Sequence, residues 1–573
     1  MTGDRVEYLP FQECAAEHPD IPPDDFARAV QWIDTDGHRK TGAAAVLAAL
    51  AVAGRPGRAL QALYRNVPPF ARAAEAAYRL VADHRTVFSR LTRWLWGRDV
   101  RTPTYATATW IFLRLLGLIY LIAFLSFWRQ SAGLIGEHGI LPAETFFARA
   151  REFLGGDAFW QLPSFLWWGA DSMALNVWCA LGVVASLLLL FGVLPAPCLI
   201  FLWANYLSLI VAGQVFYQFQ WDVLLLETGF LAIFLAPWRW FTPWRSRSDP
   251  PRLARFLLLW LLFRLMMASA VVKLTGGDPT WADGTALEYH YFTQPLPTPL
   301  AWYAHQLPAG FQWLSVQTMF FIELVLPFFL FLPRRLRLIG AAGLAALQVL
   351  IMLTGNYGFF NLLTLALCLP AVDDQVLGGR RPRREHDGTL PRRVIAPVAA
   401  ALFLLSLIPF AHAFRPRTVW CQNLYARIAP FRSINSYGLF ADMTTERPEI
   451  LVQGSLDGLT WKTYRFRYKP GDPLRAPPWV APYMPRLDWQ MWFAALGRVE
   501  QNPWFFQFLQ RLLEGSPAVL DLLAEDPFEG RRPRFVRAQL DRYTFTTFGE
   551  KTQAWWRAEP AGIYFPEISL RAP

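Results

Sequence analysis

Between residues 105 and 414 the chain runs in long apolar stretches separated by short polar connections, a pattern that fits neither strict alternation nor a one-sided helical stripe. Stretches of about 17–23 apolar residues match the roughly 30 Å hydrocarbon core of a bilayer when coiled into a helix. They fall at 105–127, 173–193, 195–213, 220–237, 253–273, 311–332, 336–353, 357–372 and 394–414, which predicts about nine spans. Polar residues interrupt or border 195–213 and 220–237.

On either side of this core the pattern changes. Residues 1–90 read as α/β: a short strand Val6–Phe11, a helix start Pro23–Ala29, a strand Val30–Ile33, an Asp-Gly hairpin turn at Asp34-Thr-Asp-Gly37 and an Ala-rich helix Thr41–Ala53. Residues 415–573 read as β-rich. Glu449–Gly454 and Thr460–Tyr468 alternate polar and apolar across a Ser455-Leu-Asp-Gly458 turn, which predicts a hairpin. Pro470–Pro485 is too proline-rich for a central strand, and Arg486-Leu-Asp-Trp-Gln-Met-Trp-Phe493 begins a helix with an exposed aromatic cluster; Trp, Tyr and Arg at this density are the usual composition of a binding surface, and equally of aromatics packed in the domain's own core or against the bilayer. In the 128–170 connection, Gly133-Leu-Ile-Gly-Glu-His-Gly-Ile-Leu-Pro142 lacks the G-K-[ST] ending of a phosphate loop. It reads as a tight interfacial turn before an amphipathic helix at Phe146–Phe153.

Composition supports a membrane core with soluble ends. Of 573 residues, 54 % are hydrophobic and 17 % charged, against roughly 25 % charged for globular domains, which excludes disordered, collagen-like and coiled-coil classes. The net charge of +11 is explained by location. Arg90, Arg93, Arg98 and Arg101 precede the first span; Arg239, Arg245, Arg247, Arg252 and Arg255 follow the fourth; Arg334, Arg335 and Arg337 follow the sixth. Arg380, Arg381, Arg383, Arg384, Arg392 and Arg393 lie before the ninth. With nine spans all four clusters share one face, cytoplasmic by the positive-inside rule, and residues 415–573 lie outside. Basic clusters at membrane edges leave no case for a nucleic-acid partner. Only five of 55 basic residues are lysine, a balance typical of a GC-rich bacterial genome, so an inner membrane is the expected location.

The five cysteines, 14, 179, 198, 368 and 421, show no metal-like or C-x-x-C spacing; no metal and no cofactor is expected. His138 beside Glu137 reads as structural rather than as a ligand or proton shuttle. Ionisable residues at membrane depth are costly, so Arg114, Asp222, Glu227, Arg264 and Glu323 read as function or as buried pairs tying helices together. Lys273, where the fifth span meets its outer loop, reads either as a snorkelling cation or as a base with a lowered pKa.

Two resemblances sharpen these expectations. Val6–Glu13, Ala29–Gly37 and Gly42–Val46 resemble the second half of the DCC-type thiol-disulfide oxidoreductase domain, a thioredoxin-like fold. Its Asp-Cys-x-x-Cys motif would stand just before Met1, so Cys14 has no dithiol partner; either the domain has degenerated or the start is placed too late, the second being the expected cause. From about residue 105 onward the chain resembles the lipase maturation factor family, on Gly133–Pro142, Gln218–Trp238, Lys273–Tyr291, Gly355-Asn-Tyr-Gly-Phe-Phe-Asn361, Ser436–Phe440, Gly454–Trp461 and Ala481–Phe493. The eukaryotic members are endoplasmic-reticulum membrane proteins, with a lumenal C-terminal domain, needed for secreted lipases to reach their active form.

This resemblance implies a maturation helper for exported or secreted client proteins, lipases among them. It would act by binding them through Trp461, Arg486, Asp488, Trp489, Trp492 and Phe493 in an extracytoplasmic domain. The family's membrane core is similar in turn to vitamin K-dependent γ-carboxylases, on Lys273-Leu and Asp278-Pro-Thr-Trp281, which implies an alternative: a membrane carboxylase-like or redox enzyme with Lys273 as base. The expected architecture is thus a multi-spanning α-helical membrane protein. It has a partial thioredoxin-like domain at 1–90, cytoplasmic, a helical core at 105–414 and a β-rich extracytoplasmic domain at 415–573.

Overall fold

A computed structural model describes residues 5–14, 17–97, 99–100, 102–243, 248–378, 389–414 and 421–570. Arg98, Arg101, Arg245, Arg247, Arg380, Arg381, Arg383 and Arg384 lie outside the described residues. The chain divides into two compact units, residues 1–101 and 102–573.

In the first unit, β1 (Gln31–Ile33) and β2 (Arg39–Thr41) form the expected hairpin. Asp34 sets the turn: its carboxylate accepts from the backbone N–H of Asp36 and His38 at 3.1 and 2.7 Å, and Gly37 supplies the left-handed φ of +83°. Helices follow at Gly42–Ala53, Arg55–Asn66, Pro68–Asp83 and Arg85–Trp96. The expected strand Val6–Phe11 does not form. The Pro10 carbonyl instead accepts from the N–H groups of Glu13 and Cys14, turning the chain into the short helix Phe11–Cys14, and β1 pairs with β2 alone.

In the second unit, seven helices among the described residues are long and apolar enough to cross a membrane: Ala106–Ile135, Ser172–Phe191, Pro195–Ala212, Arg252–Thr275, Ala309–Phe329, Arg334–Thr354 and Arg392–Phe414. The two remaining expected spans, 220–237 and 357–372, fall on shorter helices, Gln220–Leu235 and Phe360–Cys368, the latter extended by a 3₁₀ turn Leu369–Ala371. Gln220–Leu235 buries most of its residues, polar ones included, so its environment is the other helices rather than lipid. Ala106–Ile135 and Ser172–Phe191 approach most closely at small residues. A Cβ on Gly182 would stand 2.3 Å from the Phe124 ring, and one on Gly117 would stand 2.8 Å from the Leu190 nitrogen. At one end of the bundle, Asp374 caps the Ala106–Ile135 helix, accepting from the N–H groups of Ala106 and Thr107 at 3.0 and 2.8 Å, while its neighbour Asp373 receives Arg334 and Arg337.

The C-terminal residues gather at the other end around a four-stranded antiparallel sheet, order β4-β3-β5-β6: β3 (Arg447–Ser455), β4 (Trp461–Thr463), β5 (Phe535–Phe545) and β6 (Trp556–Ile568). The β3–β4 hairpin has the expected turn, where Asp457 accepts from the N–H groups of Leu459 and Thr460; these and other hydrogen bonds hold its carboxyl well below the usual range. Helices Arg486–Ala495 and Pro503–Leu513 pack alongside. The boundary at 414/415 is not a break in packing, since residues 102–573 form one unit. The Gly133–Pro142 turn is part of the joint. Gly133 lies so near the Ala518 carbonyl that a Cβ would stand 2.3 Å away; the Ser516 hydroxyl donates to the His138 carbonyl and Arg511 to that of Gly139.

Candidate functional site

The intramembrane charges do not float in the bundle: three carboxylates and three cations meet in pairs, and each pair stands beside or includes a C-terminal segment. Asp222, in the first turn of Gln220–Leu235, receives Arg486 through two hydrogen bonds of 2.9 and 2.8 Å and a third from the Tyr206 hydroxyl. Arg486 also donates to the Phe216 carbonyl and lies 3.5 Å from the centre of the Tyr217 ring. Both charged partners are at most 1 % exposed. A fully desolvated bidentate pair of this kind is worth little over a hydrophobic isostere, but losing one member strands the other charge.

One turn further along the same helix, Glu227 pairs with Arg264 of Arg252–Thr275. Its second oxygen accepts from the Asn435 backbone at 2.9 Å, the Asn435 side chain at 3.0 Å and the Tyr437 hydroxyl at 2.8 Å. Arg264 donates in turn to the Asn435 carbonyl at 3.1 Å. The expected Arg–Glu tie between helices is present here, and it also fixes the chain that leads into the C-terminal domain.

Lys273 does not snorkel. Its ammonium donates to both carboxylate oxygens of Glu323 at 3.0 and 2.7 Å, lies 5.2 Å from the Trp281 ring centre and is 4 % exposed. Glu323 is thus paired with a lysine rather than an arginine. The loop after Lys273 is pinned to the chain at 438–443: Trp281 donates to the Phe440 carbonyl, Asp278 accepts from the Met443 N–H, and Gly438 lies against Val272. His290, on Ala286–Thr293, contacts the Tyr357 hydroxyl at 3.3 Å. Burial, reinforced by the charge of Lys273, pushes its imidazole down to about 4. Arg114, the remaining intramembrane charge, is held at the opposite end of the bundle through one of its terminal nitrogens. It donates to the Thr242 carbonyl at 2.6 Å and hydroxyl at 2.8 Å and stacks on Trp110. Among the described residues no three His, Cys, Asp or Glu side chains gather as a metal site.

The predicted aromatic surface is only partly a surface. Arg486, Asp488 and Trp489 are buried, because the first turn of Arg486–Ala495 is inserted against the bundle: Gln130 accepts from the Arg486 N–H, and Ser126 from the Met484 N–H. Asp488 accepts from the N–H groups of Tyr468 and Lys469 at 2.9 Å, and burial still raises its carboxyl above the usual range. Trp489 stacks edge-on with Trp221 and Tyr357. Trp492 is half-buried, donating to the Thr293 carbonyl; Trp461 is half-buried against the Arg537 guanidinium; Phe493 faces out.

Two further ties escape the sequence. Asn356, in the Gly355–Asn361 segment, accepts from the N–H groups of Val480 and Ala481 at 2.8 and 2.9 Å and donates to the Pro478 carbonyl at 2.9 Å. Arg447 and Lys469 both pair with Glu449, and Arg447 also grips the carbonyls of Phe292, Gln294 and Pro295. Polar residues recurring in an apolar Gly-Asn-Tyr-Gly run could have flagged Asn356. No local pattern flags the carbonyls that Arg447 grips, which lie about 150 residues away.

Comparison with known proteins identifies the family. The family model described as the lipase maturation factor transmembrane domain matches residues 107–379, and that of the lipase maturation factor C-terminal domain matches residues 433–566. Lipase maturation factor 2 of Xenopus laevis is 37 % identical over 592 aligned positions, covering 81 % of this chain and 82 % of that protein. Lipase maturation factor 2 of Homo sapiens is 36 % identical, covering 81 % and 83 %. Lipase maturation factor 1 of Mus musculus is 34 % identical, covering 82 % and 88 %. No solved structure matches the chain.

Proposed function

The chain belongs to the lipase maturation factor family, and from that premise we propose that it is an integral-membrane maturation factor for exported or secreted proteins, lipases among them, acting by client binding. The observation that carries this reading is the seating of the C-terminal domain. Buried pairs tie it to the bundle, while Trp479, Phe493, Phe506 and Phe548, all at least 43 % exposed, point apolar rings outward. A platform held rigid at the membrane and rimmed with apolar rings suits a client that has not yet buried its own. Within the predicted binding set, Trp461, Trp492 and Phe493 are the contact residues, and Arg486, Asp488 and Trp489 position the helix that carries Trp492 and Phe493.

The orientation we propose has the N-terminus cytoplasmic and the C-terminal domain extracytoplasmic, in a bacterial inner membrane. Supporting it, Arg239, Arg255, Arg334 and Arg337 gather at the end of the bundle remote from that domain. Residues 1–90 are read, on their resemblance, as a thioredoxin-like remnant with the single buried thiol of Cys14.

The test is a photocrosslinker at position 493 of the full-length protein in its own membranes, followed by identification of the adducts. Exported hydrolases should be captured, and Phe493→Ser together with Trp492→Ala should lower capture at a second site, position 506, by about tenfold or more. A yield of no exported protein, from protein shown to be folded, would sink the reading. Lys273→Met with Glu323→Leu, which removes both charges together, should leave capture intact.

A further inference from the structure

The Arg85–Trp96 helix has an apolar face that its own unit covers only along one edge. At 100° per residue, Val87, Phe88, Leu91, Trp94 and Leu95 fall within about 120° of one another, and Ser89, Thr92 and Arg93 occupy the far side. Val87, Leu91 and Trp94 are 57 %, 46 % and 57 % exposed, and the helix buries none of its residues. Phe88 and Leu95, along one edge of the face, are half-buried, and the three aligned side chains left in water, Val87, Leu91 and Trp94, are a standing cost of order 1 kcal/mol or more each.

Charge decides among occupants. The helix carries Arg85, Arg90 and Arg93 and no acidic residue, and among the described residues none of the three is ion-paired with a carboxylate; Arg85 and Arg93 donate to the backbone carbonyls of Arg28 and Ser89. A second copy of this helix would meet it with like charge. An anionic surface would not, and a bilayer also takes the apolar face and seats Trp94 at headgroup depth, where tryptophan concentrates. The chain supplies the proximity. Nine residues, 97–105, separate this helix from the membrane helix that starts at Ala106, a reach of at most about 30 Å.

We propose that Arg85–Trp96 lies in the headgroup layer of an anionic bilayer, apolar face down, and anchors the first unit to the membrane surface. The assignment rests on neither client binding nor the direction of insertion. It differs from the turn-and-helix segment at 133–153, which is held by the C-terminal domain.

The experiment uses full-length protein in nanodiscs, with Cys421→Ser to remove the exposed thiol and a fluorophore sensitive to polarity at Leu91→Cys or, on the opposite face, Ser89→Cys. The probe at 91 should be shielded from water in discs containing phosphatidylglycerol, and less so in pure phosphatidylcholine; the probe at 89 should stay aqueous in both. Arg90→Gln and Arg93→Gln should each shift the docked fraction about fivefold toward water, the equivalent of about 1 kcal/mol per arginine. A probe at 91 that is aqueous in both discs overturns the proposal. So does one equally shielded in both and indifferent to the arginine changes, which would place the helix on protein instead.

Discussion

Among the described residues of 5–97 only five apolar side chains are buried, Cys14, Ile21, Ala43, Ala45 and Ala48, three of them alanines, and the ion pairs there lie at the surface. Residues 102–570 bury Phe, Leu, Tyr and Trp in one continuous core and enclose charged pairs inside it. The first unit is held by a hairpin, helix-to-helix contacts and hydrogen bonds such as Arg85 to the Arg28 carbonyl, 57 residues apart; the second by contacts such as Arg486 to Asp222, 264 residues apart, that close charge inside the core. The same side-chain type therefore has different consequences in the two. An arginine at the surface of the first unit trades one solvated partner for another, whereas one in the second holds a distant domain against a membrane helix.

Removing one half of a buried pair is the largest available insult to this arrangement. Arg486→Met should cost about 3–5 kcal/mol, because Asp222 is left charged and enclosed. Arg486→Lys should recover little of it, as a single ammonium cannot reproduce the forked contact. The double variant Arg486→Met with Asp222→Leu should restore much of the loss. Thermal unfolding in detergent would measure all three, and near-wild-type stability of Arg486→Met alone would break the comparison. The next largest effect is a pH dependence. The folded state keeps His290 neutral down to about 4, whereas the unfolded chain takes up a proton near 6.5. Stability is therefore full above pH 6.5 and falls as the pH drops toward 4, by at most about 3 kcal/mol, with no further loss from this group below. His290→Gln should flatten that slope, read as the unfolding midpoint against pH. Asn356→Ala should cost about 1–3 kcal/mol by orphaning the N–H groups of Val480 and Ala481. Its signature is local, faster proteolysis within 470–485 at unchanged secondary structure.

What the sequence made legible follows the same division. Apolar length alone located the helices, and alternation with an Asp-Gly turn located the β3–β4 hairpin, because both signals are local. The expectation failed at Val6–Phe11, where the pattern was right for a strand but Pro10 started a helical turn. It also failed in reading Arg486 and Trp489 as exposed. Arg and Trp are the composition of a binding surface and equally of an internal joint. Only the position of Asp222 and Gln130, each more than 250 residues distant, tells the two apart. That the deep charges Glu227, Arg264 and Glu323 would be paired was legible, because opposite charges at membrane depth have few alternatives to each other; the hold of Arg447 on the 292–295 segment was not, since what it grips there are backbone carbonyls that any sequence presents.

The smallest expected effect sharpens the contrast most. Arg39 of β2 reaches Asp25 at 2.9 Å and the Gln31 side chain at 2.9 Å, a contact as short as those of Arg486 with Asp222, though through one hydrogen bond to the carboxylate rather than two. Its side chain and that of Asp25 are 32 % and 44 % exposed, so water re-solvates whichever partner is left. Coulomb attraction at that exposure is offset by the entropy of holding two side chains and is screened by salt, which leaves less than about 1 kcal/mol. Arg39→Ala should therefore shift the unfolding of the first unit by a small amount that vanishes in high salt, while the loss in Arg486→Met persists there. A salt-insensitive loss of several kcal/mol at Arg39 would show that the first unit, too, depends on an enclosed charge, and the distinction between the two units would fall.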